Sequence, residues 1–446
     1  MNILGTAILV FLTAVVFSQS RRVALLGMMA GIMFLSQGQN INLFGLNLFP
    51  QRFLELAGFI RVMSRNEFSF RQLNSIDRTL LLLYAYTTVV FLLRSTEGVA
   101  YQIGIAVDAF LCYFIFRGLV TELDDFRWFM RAFVILLAPY AMIIILESMT
   151  GHNLFTLVGG SAGGGVWVRH DRPRCFGSFR QPDTLGMFGA SFLPIFIGLA
   201  CISKERKRAL LGACLCLILV WAANSGGAAA GAGMGILGWL FWRFRTGMKR
   251  VRWGIVGMIV MLALVMKAPV WYIFAHISSI TGGDGWHRSY LIDVAYRHLG
   301  KWCFAGMPIS ETSDWFPYDL ATTGAADITN QFIAFGLMAG LGAVFIFVLL
   351  LSRAYAALGQ AMVRMRSRSL ENSEHEFVFW GMGVTLSVHI INWFGIAYFD
   401  QIYMVWFMQL AFVSALTQFV VGASAHEDNV NLLKSNDMQQ AQQIAV

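Results

Sequence analysis

The chain has 446 residues, of which 57% are hydrophobic and 13% charged, with a formal net charge of +8 and a mean hydropathy of +0.63. It is too apolar for a cytosolic enzyme or a disordered scaffold, and six cysteines are too few for a disulfide-rich mini-protein. A polytopic membrane protein remains. The first apolar run has no basic segment before it and no clear cleavage site, which favours a retained helix over a cleaved signal.

About 20 apolar residues cross roughly 30 Å of hydrocarbon, so the apolar runs predict an all-α bundle of about 12 transmembrane helices, with roughly 11 to 13 as the range. In chain order the runs are 3–19, 23–37, 80–94, 101–119, 132–148, 184–201, 209–223, 225–242, 252–273, 327–351, 376–394 and 401–422. The stretch 46–63 contains a proline and three charged residues, so it is either an interfacial helix or a thirteenth span. Residues 1–422 are predicted to form one integral membrane domain.

Three short loops are rich in Lys and Arg, and such loops stay in the cytoplasm. Their basic residues are Lys204, Arg206, Lys207 and Arg208; Arg243, Arg245, Lys249, Arg250 and Arg252; and Arg353, Arg364, Arg366 and Arg368. Alternation of the spans then places two long segments, about 149–183 and 274–326, on the external side, the second with a short helix beginning near Trp286. The polar tail 423–446 is predicted to be cytoplasmic and disordered.

The first external loop carries four arginines, although external loops are normally poor in Lys and Arg. They are Arg169, Arg172, Arg174 and Arg180, and the second loop adds Arg288, Arg297 and Lys301. A guanidinium group binds two phosphate oxygens at once and stays charged, so an external diphosphate is a fitting ligand. Lipid headgroups are the alternative partner, and Arg297, four residues after Asp293, is expected to form a surface ion pair.

Two features of the spans are set apart from these loops. Gly227, Gly231 and Gly235 recur at four-residue spacing, which predicts close approach to a neighbouring helix. Asp108 lies in mid-span, where a carboxylate is either functional or protonated and hydrogen-bonded to another helix. We leave Asp108 outside the predicted site.

Cys175 and Cys303 lie one in each external loop. Outside the cytoplasm a disulfide between them would persist and would join the two loops. Two free thiols are the favoured alternative, because one sequence gives no distance between the cysteines.

Three segments carry further patterns. RPRCFGSFRQPDTLGMFGA has an arginine, Gly-x-Phe and a Pro-Asp pair opening a span, at Arg174, Gly177, Phe179, Pro182 and Asp183. HRSYLIDVAYRHLGKWCFAGMP has an arginine-led helix and a glycine turn, at Arg288 and Gly306; DITNQFIAFGLMAGLG enters a span through Asn330, Phe332 and Gly336. In this order the segments resemble the O-antigen polymerase and ligase superfamily of bacterial envelope glycosyltransferases.

The chain departs from that family at two places. Thr329 stands where ligases of the family usually carry histidine, and Ser225 is followed by Gly226 where the family commonly has Ser-Arg. The missing histidine favours a polymerase over a ligase.

The resemblance implies an enzyme of the bacterial inner membrane, with its active site facing the periplasm. It would be a glycosyltransferase, a polysaccharide polymerase that joins oligosaccharide repeat units carried on undecaprenyl diphosphate. The alternative within the family is an O-antigen ligase, which transfers the glycan to a lipid A-core acceptor. The product would be O-antigen of lipopolysaccharide or an exopolysaccharide.

The resemblance also implies metal-independent transfer with no cofactor, and the sequence has no external DxD pair or metal-ligand spacing. The partners would be the lipid-linked oligosaccharide, membrane lipids, and a chain-length regulator and flippase of the same pathway, with no nucleic acid. A polytopic transporter or lipid-linked glycan flippase is the competing class.

Fixed donors in a poorly solvated site stabilise charge on a diphosphate leaving group. We assign this catalytic role to Arg174 and Arg288. The predicted substrate-binding residues are Arg180, Arg172, Asn330, Trp286 and Tyr290.

A base is needed for the acceptor hydroxyl, and Asp327 is preferred. The other candidates are Asp314, His298 and His170. Further aromatic residues of the second loop either stack on sugars or anchor the membrane interface. They are Trp271, Tyr272, Trp302, Trp315 and Tyr318.

Overall fold

The computed structural model describes residues 2–43, 46–95, 98–160, 167–276, 285–316, 325–366 and 370–444. The α-helices are α1 (Ile3–Ser18), α2 (Arg21–Phe34), α3 (Pro50–Ser64), α4 (Ser75–Arg94), α5 (Val99–Leu119), α6 (Leu123–Thr150), α7 (Pro182–Ala200), α8 (Arg206–Ala223), α9 (Gly226–Leu240), α10 (Met248–Val265), α11 (Gly285–Arg297), α12 (Leu299–Trp302), α13 (Gln331–Arg366), α14 (Leu370–Trp393) and α15 (Asp400–Ile444). Two short antiparallel hairpins pair β1 (Ile41–Leu43) with β2 (Leu46–Leu48) and β3 (Val168–Arg169) with β4 (Arg172–Pro173). The predicted all-α class is therefore confirmed.

The predicted count of about 12 spans is wrong. Among the described residues, six helices are long and apolar enough to cross a membrane, or seven if the bent pair Gly226–Val265 and Val270–His276 is one span. The six are Ser75–Arg94, Val99–Leu119, Leu123–Thr150, Pro182–Ala200, Gln331–Arg366 and Asp400–Gly422. Each predicted run overlaps a helix, but α1, α2 and α9 would extend only about 21 to 24 Å, less than the roughly 30 Å of hydrocarbon.

The helices place the basic loops and the arginine-bearing loops at opposite ends of the bundle. Helix α7 begins beside Arg180 and ends before Lys204, and its 19 residues separate the two by about 28 Å. Two ion pairs bring the basic loops together. Arg131 of α6 donates to Glu205 in the α7–α8 turn, and Arg245, in the 3-10 helix Phe241–Gly247 after α9, pairs with Glu376 of α14. We call that end the basic-loop end and the opposite end the arginine end. Arg368 and Tyr318 lie outside the described residues.

The ambiguous stretch 46–63 forms strand β2 followed by α3, which begins with Pro50 at its first turn and packs against α1 and α5. Its two arginines have partners within the bundle. Arg52 donates to Asp108 of α5 at 2.7 and 2.9 Å, so the mid-span carboxylate has a direct cationic partner. Buried Arg61 donates to the carbonyls of Val16 and Gln19, which satisfies the C-terminal end of α1.

The glycine face of α9 packs as predicted. A Cβ at Gly231 would lie 2.4 Å from Asn392 Oδ1 on α14, and one at Gly235 would lie 3.2 Å from Pro194 Cγ on α7. Because no side chain intervenes, α9 fits closely between α7 and α14.

Helix α13 is broken inside its apolar length. Ala339 and Gly340 have non-helical backbone angles, and Gly340 has φ +76°. Residues 303–307 of the second loop fill the break: Met307 N donates to Leu337 O at 2.9 Å and Leu341 N donates to Cys303 O at 2.7 Å. Arg94 at the end of α4 donates to the carbonyls of Ala305 and Leu337, so backbone groups freed by the break are satisfied by protein.

Most buried hydrophobic residues form one continuous core, and a smaller cluster lies in the second loop around Leu291, Trp302 and Trp315. Helix α15 extends to Ile444 and includes the backbone of the polar tail, whose disorder stays a prediction.

Candidate functional site

The loop between the β3–β4 hairpin and α7 carries Arg174 and is held in place by hydrogen bonds to its backbone. Glu147 at the end of α6 accepts from Phe176 N at 2.8 Å and Gly177 N at 2.9 Å, and Cys175 N donates to Ala222 O at the end of α8. Gly177 has φ +58°, and a Cβ there would lie 2.6 Å from Tyr140 Oη. The glycine of the Gly-x-Phe pattern is therefore required by the backbone and by space.

The side chain of Arg174 extends from this loop towards the start of α7. Its Nη2 donates to Asp183 Oδ1 at 2.7 Å, and its buried Nε has no hydrogen-bond partner. Arg172 on the β3–β4 hairpin lies elsewhere: its guanidinium carbon is 4.4 Å from the centroid of the Trp221 ring, and its Nη2 donates to Trp221 O. Of the two arginines, Arg174 has the better-defined polar setting.

Arg180 makes the second ion pair of this end. Its Nε lies 3.0 Å from Asp400 Oδ2, while 44% of its side chain stays exposed. Asp400 opens α15 with φ +50°, a conformation that costs free energy for a residue other than glycine. The strained backbone brings a carboxylate to a predicted substrate-binding arginine, and the sequence patterns had not singled Asp400 out.

Helix α11 carries the third arginine and begins at Gly285, next to the predicted Trp286. The guanidinium group of Arg288 lies between two glycines. A Cβ at Gly227, in the first turn of α9, would lie 3.4 Å from Arg288 Nη2, and a Cβ at Gly395, after α14, would lie 3.1 Å from Arg288 Cζ. The two glycines leave a slot that the guanidinium group enters.

Arg174 and Arg288 both approach the first two turns of α7. Arg174 contacts Asp183, and the Met187 methyl, one turn further along, borders Gly227 together with Arg288 Nη2. Arg288 also lies beside the positive end of the α9 dipole. Arg174 is paired with Asp183, and a phosphate-bearing ligand that reached both guanidinium groups would accept charge-assisted hydrogen bonds from each.

The aromatic residues separate into exposed and buried sets. Trp286, 44% exposed, stacks on Tyr290 with ring centroids 4.8 Å apart. Trp302 and Trp315 are buried in the small core of the second loop. Trp286 and Tyr290 therefore form one pair that can offer a ring face to a sugar, and Trp271 and Tyr272 are also partly exposed.

The predicted base and amide have different surroundings. The side chain of Asp327 is exposed, and its carbonyl lies 3.4 Å from His287 Nε2 at the start of α11. Asn330 Oδ1 accepts from Phe332 N and Ile333 N, so its oxygen caps α13. A helix cap accounts for that side-chain oxygen, and substrate binding by Asn330 stays a prediction that rests on its amide nitrogen alone.

The remaining base candidates differ in exposure. His298 Nδ1 lies 3.0 Å from Val294 O, and its ring stacks on Trp315. Asp314 and His170 are exposed, and His170 has φ +50° in the turn of the β3–β4 hairpin. The predicted ion pair on α11 is confirmed, with Arg297 Nη2 2.6 Å from Asp293 Oδ2.

Cys175 and Cys303 are both free thiols, so the bridge is not formed. Cys175 is a buried residue of the loop that carries Arg174, and burial raises the pKa of its thiol to about 12. Within the described ranges no group of three His, Cys, Asp or Glu side chains could hold a metal ion. Metal-independent chemistry stays a prediction.

The long apolar helices and the clustered arginines define a helical membrane protein with a polar site at one end of its bundle. Comparison with protein-family models and with curated proteins finds no match to this chain. The family resemblance therefore rests on the sequence motifs alone.

Proposed function

We propose that the protein is a glycosyltransferase that takes its glycan from a polyprenyl-diphosphate lipid, and that it acts as a polysaccharide polymerase at the periplasmic face of the inner membrane. The observation that carries the proposal is the placement of the Arg288 guanidinium group beside the first turn of α9, with Arg174 at the start of the neighbouring α7. A diphosphate that reached both guanidinium groups would accept charge-assisted hydrogen bonds from each.

The reaction would proceed by displacement at the anomeric carbon. The acceptor hydroxyl oxygen bonds to that carbon, and the bond to the diphosphate oxygen breaks with its electron pair staying on the diphosphate. Arg174 and Arg288 stabilise the growing negative charge, because fixed donors need no reorganisation as the bond breaks. The hydroxyl proton passes to the exposed carboxylate of Asp327, which lies near the start of α11.

The acceptor glycan would lie along the second loop. The stacked rings of Trp286 and Tyr290 offer an apolar face next to Arg288 in sequence, and the exposed part of Arg180 offers donors to sugar hydroxyls or to the second phosphate. A ligase differs only in its acceptor, a lipid A-core, and Thr329 in place of the ligase histidine favours the polymerase. A transporter remains the alternative of another class.

The test supplies purified protein with a lipid-diphosphate-linked repeat unit in the presence of a chelator. We expect longer lipid-linked chains from the wild type, and a loss of at least about a hundredfold in Arg174→Ala and Arg288→Ala. Arg250→Ala removes an exposed arginine at the basic-loop end and should leave the rate unchanged. Full activity in both site variants would refute the assignment.

Two further arms separate the alternatives. Transfer to added lipid A-core without chain extension would indicate a ligase. Uptake or flipping of the lipid-linked glycan by vesicles, with no new glycosidic bond, would indicate the transporter class.

A further inference from the structure

The loop that joins α14 to α15, residues 394–399, lies close to both Arg288 and Arg180. Gly395 forms one wall of the slot that holds Arg288, and Asp400 directly after the loop pairs with Arg180. A single short segment thus borders two guanidinium groups that come from different loops.

A buried hydrogen-bond chain fixes this loop. His389 Nδ1 lies 2.8 Å from Tyr398 Oη, and His389 Nε2 lies 2.6 Å from Gln409 Oε1. Gln409 accepts through its carbonyl oxygen, so Nε2 carries the hydrogen and Nδ1 accepts from the Tyr398 hydroxyl. Asn392 Nδ2 donates to the same hydroxyl at 3.3 Å, and Gln331 Oε1 accepts from Tyr398 N at 2.7 Å.

The hydrogen-bond chain runs in one direction from donor to acceptor and reaches α7. Gln409 Nε2 donates to Ser191 Oγ at 3.2 Å, and Ser191 Oγ donates to Phe188 O at 2.9 Å. The imidazole ring of His389 also packs against Trp393 and Trp406. The Tyr398 hydroxyl is the partner of both His389 Nδ1 and Asn392 Nδ2, so its loss leaves two buried groups unsatisfied and frees the loop.

We propose that His389 and Tyr398 are positioning residues for the arginine site, which they serve by fixing the loop 394–399 against Arg288 and Arg180. The proposal rests on the proposed function, since it assigns the two residues to the same diphosphate site. Neither side chain contacts the substrate. They act by holding Gly395 and Asp400 where the two guanidinium groups require them.

The first arm of the test needs no activity. Hydrogen exchange is measured on the full-length protein in detergent for the wild type, Tyr398→Phe and Tyr355→Phe. Tyr355 is the matched control, because its hydroxyl lies 2.7 Å from Ser387 Oγ between α13 and α14. We expect at least about tenfold faster exchange in residues 394–402 of Tyr398→Phe alone. Unchanged exchange there overturns the proposal.

The second arm asks whether the loop acts through Arg288. Tyr398→Phe should lower turnover about tenfold, and the same change in an Arg288→Lys background should lower it less than about twofold, because coupled residues are not additive. An equal loss in both backgrounds overturns the proposal, since a general loss of folded protein would carry over. A wild type that transfers no sugar overturns the proposed function, and the exchange arm then decides alone whether Tyr398 holds the loop.

A pair of histidine variants completes the test. His389→Gln keeps one acceptor and one donor, whereas His389→Leu keeps neither. At equal amounts of folded protein we expect His389→Gln to retain at least about fivefold more activity than His389→Leu. Equal activities would overturn the role of the hydrogen-bond chain.

Discussion

At the basic-loop end, buried carboxylates hold arginines from several elements. Asp125 accepts from Arg21 at 2.9 Å and from Arg22 at 2.7 Å, and its side chain is 3% exposed. Glu376, equally buried, accepts from Arg366 at 2.5 Å and lies 3.4 Å from Arg245. These carboxylates join helix ends to one another, which is a structural use of arginine.

At the arginine end, the carboxylates that pair with arginines are more exposed. Arg174 and Arg180 each have one carboxylate, and Asp183 is 28% exposed. Arg288 is lodged between glycines beside a helix N-terminus. The same residue type therefore pairs with deeply buried carboxylates at one end and with more exposed ones at the other, and the two uses should respond differently to substitution.

The largest expected effect is at Arg288. Arg288→Lys keeps the charge but loses the planar fork, so turnover should fall about a hundredfold while the unfolding temperature stays the same. Arg245→Lys at the basic-loop end should leave turnover per folded protein unchanged. Turnover and thermal unfolding of both variants check this, and equal activity losses would erase the contrast between the ends.

The reverse is expected at Glu376. Glu376→Gln leaves two arginines without a carboxylate and should lower the free energy of unfolding by about 3 kcal/mol. Glu374→Gln, on the same helix and exposed, is the control and should change it little. Denaturant unfolding in detergent measures both. Turnover per folded molecule should stay at the wild-type value, and a specific loss of activity would contradict the structural role.

A smaller effect is expected at Gly395. Gly395→Ala places a methyl group about 3.1 Å from Arg288 Cζ and should lower turnover about fivefold by displacing the guanidinium group. Gly254→Ala on α10 meets no atom within 4 Å and should be neutral. Steady-state rates with the lipid-linked substrate decide, and a neutral Gly395→Ala would show that the slot is wider than described.

The smallest effect concerns thiol reactivity. The pKa of about 12 leaves Cys175 as a thiol at pH 8, and burial shields it, so maleimide should not modify it. Cys303 is half-exposed and should react. Peptide mass spectrometry after a short labelling reaction checks both predictions. Rapid labelling of Cys175 would mean that the loop carrying Arg174 opens.

Local pattern predicted the features that depend on neighbours in sequence. Glycines spaced by four residues, the pair of Asp293 and Arg297, and the helix near Trp286 each need only helical periodicity. The span count failed because hydropathy does not reveal how far a helix extends before a cap or a turn ends it. Arg174 and Arg288 were predicted as site residues because arginine is unusual in loops predicted to be external.

Other parts of the site depend on contacts between distant segments. Asp400 and Gly395 belong to no motif, and they matter only because the α14–α15 loop and the start of α15 lie beside Arg288 and Arg180. Asn330 was chosen from its place in a family pattern, and the structure adds that its side-chain oxygen caps a helix, while binding through its amide nitrogen stays a prediction. A signal for Asp400 was present in the cluster of polar residues at the start of the last apolar run.

The break in α13 limits how the second loop can be re-engineered. Residues 303–307 complete hydrogen bonds that the interrupted helix lacks, and Arg94 of α4 anchors them. A chimera that imports this loop from another protein must therefore bring a compatible α13 and α4 with it. An epitope tag placed between Phe304 and Met307 would displace the backbone that fills the break in α13, so surface labelling there would report a damaged protein.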